Sequence, residues 1–392
     1  MDSPTRPSTA PPTDEAAQVH RTMADALERA LHAGDGALKL KKPLSLGFLD
    51  FSTSRLLDFS TSRLLDFSTP ALREHFCREE LRINRRTAPA LYRAVLPVRG
   101  SPSAPRFSGS GPVLDWALWM HRFDNEQLYD RLARRGELTE QHIDALADTI
   151  AAFRAAQEPS PPGYGEPAVA LATPPLSALL AAVARQQIDP LAQWCPSQGA
   201  RLAARLAQRR AGGAVIEAHG DLHPGNIVQH EGRPLLFDAI EFDPALRHID
   251  RAADLAFTFM DLLDHGLPRL AWRFLGQTLE HSGDFGLLPL LRWFAADRAL
   301  VRAKVSLIGA LGATTPAQAP AAAVAGQRIA LAHALAFPPP APLPWVGGLS
   351  GSGKSTVAMM LAKAVGGVRV RSDVERKRLH GLAATERPTR PT

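Results

Sequence analysis

The sequence has little of what marks several large classes of protein. Only two of its 392 residues are cysteine, which excludes a disulfide-stapled scaffold and a four-cysteine zinc site. No apolar run follows the first residues, so we expect no secretion signal. The least charged stretches, 167–184 and 307–327, contain proline and much alanine, and neither is expected to cross a membrane. We therefore expect a cytoplasmic protein.

The charge is nearly balanced, with 45 Lys and Arg against 39 Asp and Glu, and no block of one sign stands out. Nucleic acid is therefore not an expected partner. Hydrophobic residues make up 45% of the chain, which is enough for real cores. The length favours two domains.

Proline and alanine divide the chain into parts. The 33 prolines gather at the N-terminus and in two inner stretches, which is typical of tails and linkers. We expect a disordered tail at 1–18, a first domain at 19–312, a linker around one short helix at 313–342, and a final segment at 343–392.

Within the first domain, hydrophobic periodicity predicts an α+β fold with two lobes. We expect a small sheet and one helix up to about residue 115, followed by a helical lobe at about 116–312. The predicted elements of the first lobe are strands at 38–41 and 91–98, a helix at 71–86, and a returning strand at 113–122.

An eight-residue repeat occupies residues 49–72 and reads LDFSTSRL, LDFSTSRL, LDFSTPAL. A period of eight matches no solenoid and no heptad. It is either a binding arm or a duplicated loop in solvent. We favour the loop, because the cost of closing a loop grows only slowly with its length.

The strongest chemical signal is the run from His219 to Asn226, HGDLHPGN. Phosphoryl transfer needs a carboxylate beside the acceptor hydroxyl and oxygen ligands for Mg²⁺. Asp221 and Asn226 supply both from one loop. A hairpin with strands at 227–230 and 234–237 would bring Asp238 back beside Asn226. His219 and His223 suggest a metal pair, but the Pro-Gly that follows favours a loop, and His219 is better explained as a structural partner.

These residues resemble the aminoglycoside-phosphotransferase-like kinases, which have the protein-kinase fold. More narrowly, the chain resembles a bacterial family that joins such a domain to a C-terminal P-loop kinase module of AAA or zeta-toxin-like type. The matching stretches are HGDLHPGNI, LLFDAIEFDP, HIDRAADLAF, KKPLSLGFLDFS, HFCREELRINRRTAP, DWALWMHRF and RAKV.

The resemblance implies roles for individual residues. Asp221 would be the catalytic base, and Asn226 and Asp238 would be Mg²⁺ ligands. A strand lysine pairs with a helix glutamate in such kinases, and Lys39 with Glu80 is the best match. Lys41 and Glu79 are close alternatives, because Lys41 shares the strand face of Lys39.

Asp250 and Asp254 match a second acidic segment of the family and are expected to brace the loop. The sequence departs from the family at three places. Residues 20–34 suggest a helix where a nucleotide-covering turn is expected. The repeat lies between Lys39 and Glu80, and Arg154 stands where the family usually has histidine.

A second nucleotide motif, GLSGSGKS, runs from Gly348 to Ser355. Its glycines let backbone N–H groups surround phosphates, its lysine reaches the β/γ oxygens, and its serine binds Mg²⁺. The expected ATP-binding residues are Gly348, Gly351, Gly353, Lys354, Ser355 and Thr356. A strand at 345–346, a helix at 355–365 and a strand at 368–371 are predicted around it. Because two strands cannot form a covered parallel sheet, we expect an incomplete α/β P-loop segment.

Our first hypothesis is an ATP- and Mg²⁺-dependent kinase that acts on a hydroxyl of a small molecule. Segment 221–264 holds nine acidic residues against three arginines, which would suit a cationic acceptor such as an aminoglycoside. A non-catalytic nucleotide-binding protein, or the decayed product of a bifunctional gene, is the alternative. In a third interpretation the P-loop module is the working kinase.

Overall fold

The computed structural model describes residues 18, 19, 22, 23, 25, 27, 36–41, 45, 46, 65–165, 174–311 and 315–382 of the chain. Within these ranges the protein has the expected α+β architecture with two lobes. A small antiparallel sheet with one helix forms the first lobe. Helices and two short β-ribbons form the second, and two further helices follow near the C-terminus.

The first lobe is an antiparallel sheet covered by one helix, α1 (Pro70–Asn84). Its strands are β1 (Gly36–Leu40), β2 (Ser45–Leu46), β3 (Leu65–Asp66), β4 (Tyr92–Ser101), β5 (Ala104–Arg106) and β6 (Val113–His121). Four of them form one sheet in the order β1-β6-β4-β5. Because β6 lies inside this sheet, the first lobe continues a few residues past the expected boundary at 115.

Helix α1 begins where the sequence supplies a cap. The Thr69 hydroxyl accepts a hydrogen bond from the Leu72 N–H (3.2 Å), and Pro70 occupies the first helical position, where no N–H is needed. The helix packs across β4 and β6. A buried ion pair between Arg73 and Asp115 (2.6 Å) ties its first turns to the sheet, and Glu80 faces the same buried side.

Two predictions fall largely outside the described residues. The repeat at 49–72 lies mostly within 47–64, which the structure does not describe, although β2 and β3 on either side pair with each other. Of the segment 20–34, only residues 22, 23, 25 and 27 are described. All four are helical, and Met23 and Leu27 are buried against Val98 and Ala117 of the sheet.

The second lobe is a helical bundle with two β-ribbons. Its strands are β7 (Val215–Glu217), β8 (Ile227–His230), β9 (Arg233–Leu236) and β10 (His248–Asp250). Its helices are α2 (Tyr129–Arg134), α3 (Glu140–Ala155), α4 (Pro174–Ala211), α5 (Pro244–Arg247), α6 (Arg251–Asp264), α7 (Pro268–Ser282), α8 (Leu288–Leu311) and α9 (Thr315–Ala336). One apolar core joins them, with buried side chains such as Ile143, Leu146, Phe259, Phe274, Leu300 and Ile329.

The predicted hairpin after the HGDLHPGN run is confirmed. Strands β8 and β9 pair antiparallel and are joined by Glu231 and Gly232, which have φ of +48° and +79°. Positive φ at both central residues is the type I′ turn that suits a two-residue hairpin loop. This turn sets the register in which Ile227 faces Leu236, so the residues before β8 and after β9 lie at the same end.

Helix α9 differs from the expected linker. It spans 22 residues and packs along α8, and its Ala325, Ile329, Ala332 and Leu335 are buried in the core of the second lobe. The reason lies in its sequence, because alanine-rich helices approach their neighbours closely. The stretch without regular structure is shorter and follows Ala336.

The C-terminal segment contains helices α10 (Lys354–Val365) and α11 (Ser372–Leu379), which agrees with the predicted helix after GLSGSGKS. The strands predicted at 345–346 and 368–371 are wrong, since neither stretch forms a strand. A strand needs a neighbour to pair with, and Trp345 is instead 92% exposed. None of the helices in the described ranges combines the length and apolar character needed to span a bilayer.

Candidate active site

The HGDLHPGN loop is held between β7 and β8 by contacts that reach across the second lobe. Gly220 has φ of +84°, and a Cβ there would come within 2.8 Å of the Leu246 carbonyl oxygen. This position therefore requires glycine. The Gly220 N–H donates to the Asp254 carboxylate (3.0 Å), and the Thr258 hydroxyl donates to the Leu222 carbonyl (2.7 Å). Asp254 and Thr258 are both on α6, so these two hydrogen bonds place α6 directly beneath the loop.

Asp221 is oriented by two neighbours in its own loop. The Asn226 amide donates to Asp221 Oδ2 and to its backbone carbonyl, each at 3.0 Å. His223 Nδ1 accepts from the Gly225 N–H (3.0 Å), so Nε2 carries the proton and lies 3.5 Å from the same Oδ2. Burial by itself raises the pKa of Asp221, but the His223 hydrogen bond and the nearby Arg298 charge lower it to about 2.

His219 has the structural role that the sequence suggested. It is 1% exposed, its Nδ1 accepts from the Asp221 N–H (3.3 Å), and its Nε2 lies 2.9 Å from the Phe237 carbonyl oxygen. One ring thus joins the loop to the end of β9. Burial lowers the pKa of His219, which favours the neutral ring that this pair of contacts requires.

Asn226 and Asp238 come together at the open end of the hairpin. The Phe237 N–H donates to the Asn226 carbonyl (3.0 Å), and Asp238 follows directly. Asp238 has φ of +61°, which is uncommon for any residue other than glycine and is frequent at functional sites. Its N–H donates to the Tyr92 hydroxyl (3.0 Å) of the first lobe.

The first lobe contributes two lysines, not one. Glu80 is fully buried and binds Lys39 through Oε1 (2.8 Å) and Lys41 through Oε2 (2.7 Å). Lys39 also contacts Asp238 (2.5 Å), and Lys41 contacts Glu241. Burial lowers the pKa of Lys39, but the charges of Glu80 and Asp238 outweigh it and raise this pKa.

Of the two alternatives that the sequence left open, Lys41 belongs to the cluster around Glu80 and Glu79 does not. Lys41 shares Glu80 with Lys39, because residues two apart on a strand face the same side. Glu79 does not reach either lysine and pairs instead with Arg82 (2.8 Å) and with Arg247. The repeat between Lys39 and Glu80 does not keep the two apart.

Several residues of the site were missed by the sequence analysis. Glu241 had a signal, because it is a charged residue in an otherwise apolar run after Asp238. Glu217 had none. It bridges the lobes by accepting from Arg82 (2.5 Å), Arg86 (2.9 Å) and Arg247 (2.9 Å). Burial raises the pKa of Glu217, but these arginines lower it to about 2.

Asp250 and Asp254 brace the loop and its surroundings. Asp250 caps α6 through the Ala252 N–H (2.8 Å) and binds Arg209 (2.8 Å). Arg154, which departs from the family pattern, is buried close by and donates to the Arg251 carbonyl (2.7 Å). Burial lowers the pKa of Arg154 to about 10 despite the charge of Asp254.

The P-loop residues are placed quite differently. Gly351 and Gly353 have φ of +79° and +78°, and Lys354 begins α10, so the backbone has a loop-to-helix turn. The Lys354 ammonium group contacts the Leu349 carbonyl of its own loop. Gly348, Ser355 and their neighbours are exposed, and Thr356 donates its N–H to the Gly353 carbonyl (3.0 Å).

The available metal donors are oxygens. In the described part of the chain no three His, Cys, Asp or Glu side chains cluster as a metal cage. Asn226 and Asp238 offer an amide oxygen and a carboxylate that is 41% exposed. This sparse oxygen set fits Mg²⁺, which takes one or two protein ligands and completes its shell with water and phosphate.

The C-terminal segment and the chain as a whole are each similar to known proteins. A family model described as an AAA domain matches residues 343–392. "Uncharacterized protein Rv2004c" of Mycobacterium tuberculosis (strain ATCC 25618 / H37Rv) is 30% identical over 407 residues, which cover 97% of this chain and 72% of the relative. "Uncharacterized protein Mb2027c" of Mycobacterium bovis (strain ATCC BAA-935 / AF2122/97) matches to the same extent. The chain belongs to the family of these mycobacterial proteins.

Similar solved structures include kinases. The GDP complex of wild-type aminoglycoside 2'-phosphotransferase-IIIa matches with a TM-score of 0.38 and 14% identity, over 80% of this chain and 98% of that one. A glucosamine kinase matches with a TM-score of 0.35 and 17% identity, over 55% of this chain and 61% of that one. At these TM-scores the likeness carries no argument about chemistry, which must come from this chain's own residues.

Proposed function

We propose that the two-lobed domain is an ATP-dependent phosphotransferase that transfers the γ-phosphoryl group to a hydroxyl of a small molecule. The observation that carries this is the convergence at one cleft of Lys39 and Glu80 from the first lobe with Asp221, Asn226 and Asp238 from the second. These residues come from four separate elements. Such a convergence is expected of a site that positions reactants and is not expected of loops that serve only structure.

Asp221 is the proposed general base. Asn226 and His223 both hold Oδ2, which leaves Oδ1 to accept the proton of the acceptor hydroxyl. That hydroxyl oxygen then bonds to the γ-phosphorus while the bond from phosphorus to the β-phosphate oxygen breaks, and ADP leaves. The contacts that lower the pKa of Asp221 keep its carboxylate ionised at neutral pH, which is the form that can accept a proton.

Lys39 is proposed to bind the nucleotide phosphates, with Glu80 fixing its position and Lys41 and Glu241 supporting that glutamate. Asn226 and Asp238 would hold Mg²⁺, which would neutralise charge on the transferred group. The Lys39–Asp238 contact would loosen when the nucleotide and metal bind. The ordered Lys39–Glu80 pair favours catalysis over the non-catalytic alternative.

The P-loop segment is proposed to bind nucleotide separately, through the backbone of Gly348–Ser355. Its serine is exposed and its lysine is half-buried, and nothing in the described chain brings either of them to Asp221. We therefore assign the transfer reaction to the two-lobed domain.

The test is Mg²⁺-dependent turnover of ATP by the whole chain, with a panel of aminoglycosides and simple sugars as acceptors. Asp221→Asn keeps the size of the side chain and removes the base, and it should lower turnover by about 10²-fold or more. Lys354→Ala is the matched change in the other motif and should leave turnover unaltered. Loss in Lys354→Ala with activity kept in Asp221→Asn would move the reaction to the P-loop and refute the proposal.

A further inference from the structure

The acidic surplus of segment 221–264 does not create a negative surface beside Asp221, because the protein itself occupies most of those carboxylates. The partners are Lys39 for Asp238, Lys41 for Glu241, the Ala245 N–H for Asp243, Arg209 for Asp250, the Gly220 N–H for Asp254, Arg302 for Asp261 and Arg328 for Asp264. The charge count that suggested a cationic acceptor therefore includes five carboxylates that are already paired with cations.

One positively charged side chain near Asp221, that of Arg298, is not paired with a carboxylate in the described part of the chain. Arg298 on α8 is half-buried, and its guanidinium carbon lies 5.4 Å from the centre of the Phe257 ring. The His223 ring lies 5.3 Å from the centre of the same phenyl ring, and His223 in turn contacts Asp221. Arg298 thus stands on the wall that carries the catalytic loop.

Arg298 has no hydrogen bond and no ion pair with any residue in the described part of the chain. Its guanidinium is half-buried, so its donors are partly shielded from water and still open to a ligand. Two other arginines near the loop, Arg209 and Arg247, each bind carboxylates. A guanidinium that is pre-positioned by ring stacking and left without an anion is suited to receive one.

We propose that the acceptor carries an anionic group, a phosphate or a carboxylate, near its reactive hydroxyl, and that Arg298 binds this group. The inference rests on the proposed function, since it takes Asp221 as the base. It assigns Arg298 to the acceptor because Lys39 already supplies a cation for the nucleotide phosphates from the opposite lobe. A cationic acceptor such as an aminoglycoside would be repelled by the Arg298 guanidinium at this wall.

The experiment measures binding to the whole chain in the presence of Mg²⁺ and a non-hydrolysable ATP analogue. Four probes share one sugar ring: glucose 6-phosphate, glucuronate, glucose and glucosamine. We expect at least one of the two anions to bind about ten-fold or more tightly than glucose, and glucosamine to bind no better than glucose. The stronger of the two anions tells whether the site takes a phosphate or a carboxylate.

Arg298→Met removes the charge and keeps an unbranched apolar side chain that can still contact Phe257. It should abolish the preference for the anion without changing the affinity for the ATP analogue, which also reports that the site is folded. Arg292→Met is the matched control, because Arg292 lies on the same helix, is also half-buried and does not contact Phe257. This variant should keep the preference.

Four results would overturn the inference. Anions that bind no better than glucose, or a preference that survives in Arg298→Met, would remove Arg298 from acceptor recognition. Weaker binding of the ATP analogue in Arg298→Met, with the preference intact, would place the guanidinium on the nucleotide instead. If the parent binds no ATP analogue and its turnover ignores Asp221→Asn, the proposed function itself fails and the inference falls with it.

Discussion

The chain carries two nucleotide motifs, and they differ in what surrounds them. At the proposed active site, Asp221 is held by Asn226 of its own loop, and Asp238 and Glu80 are held by residues distant in sequence. At the P-loop, the ammonium group of Lys354 contacts a carbonyl of its own loop, and the apolar side chain of Met360 is 66% exposed. A short motif is thus enough to shape a loop, whereas a positioned site needs support from elsewhere in the fold.

The P-loop segment nevertheless rests on the second lobe through a few contacts. Lys363 binds Glu140 on α3 (2.8 Å), Arg369 binds Glu280 on α7, and Gly366 lies against the Trp272 ring. The two ion pairs are partly exposed, and such pairs contribute little to stability. We therefore expect the two regions to respond very differently to substitution.

The largest difference is expected at Glu80. Glu80→Gln leaves the buried Lys41 with only Glu241 and leaves Lys39 with only Asp238, so the free energy of unfolding should fall by about 3 kcal/mol. Urea denaturation measures this. Glu74→Gln on the same helix breaks only a surface pair with Arg78 and should cost less than about 0.5 kcal/mol. Equal effects of the two variants would mean that Glu80 is not the centre of a buried cluster.

A second test compares one helix of each region. Ile329→Ala in α9 removes a fully buried side chain and should cost about 3 kcal/mol. Met360→Ala in α10 removes an exposed one and should change stability by less than about 0.5 kcal/mol. Thermal or urea unfolding of both variants suffices. A large loss in Met360→Ala would show that α10 is packed in solution, and the contrast between the regions would fail.

The third and smallest effect depends on pH. The pKa of Glu217 lies at about 2, below the usual 4.5, because Arg82 and Arg247 outweigh its burial. The contribution of Glu217 to the free energy of unfolding is therefore complete above pH 4.5 and is lost as the pH falls toward 2. Glu217→Gln should lower the free energy of unfolding at pH 7 by about 2 kcal/mol, and the difference should shrink across this window.

Glu140→Gln is the counterpart at the edge of the P-loop segment. Glu140 is 43% exposed and pairs with Lys363 and Arg273, so its loss should cost less than about 1 kcal/mol at pH 7. Denaturation curves of both variants at several pH values decide the matter. A cost at Glu140 as large as that at Glu217 would show that the segment is bound as firmly as the lobes are to each other.

Features of the fold and the site could be predicted from the sequence where the interacting residues are close together along the chain. The loop from His219 to Asn226 and the hairpin turn at Glu231-Gly232 were predicted because their residues interact with near neighbours. The strands expected at 345–346 and 368–371 were wrong, since a strand exists only where another strand pairs with it. Arg298 and Glu217 could not be found from the sequence, because an arginine or glutamate in a helix or strand does not reveal which distant residue it faces.

The burial of α9 in the core of the second lobe also has a consequence for folding during synthesis. The HGDLHPGN loop leaves the ribosome long before Ile329 and Leu335, whose side chains complete the core around it. Domains generally fold as units during synthesis. Every residue of the proposed site has therefore left the ribosome while the bundle that supports it still lacks α9. During that interval the nascent chain exposes an apolar groove along α8.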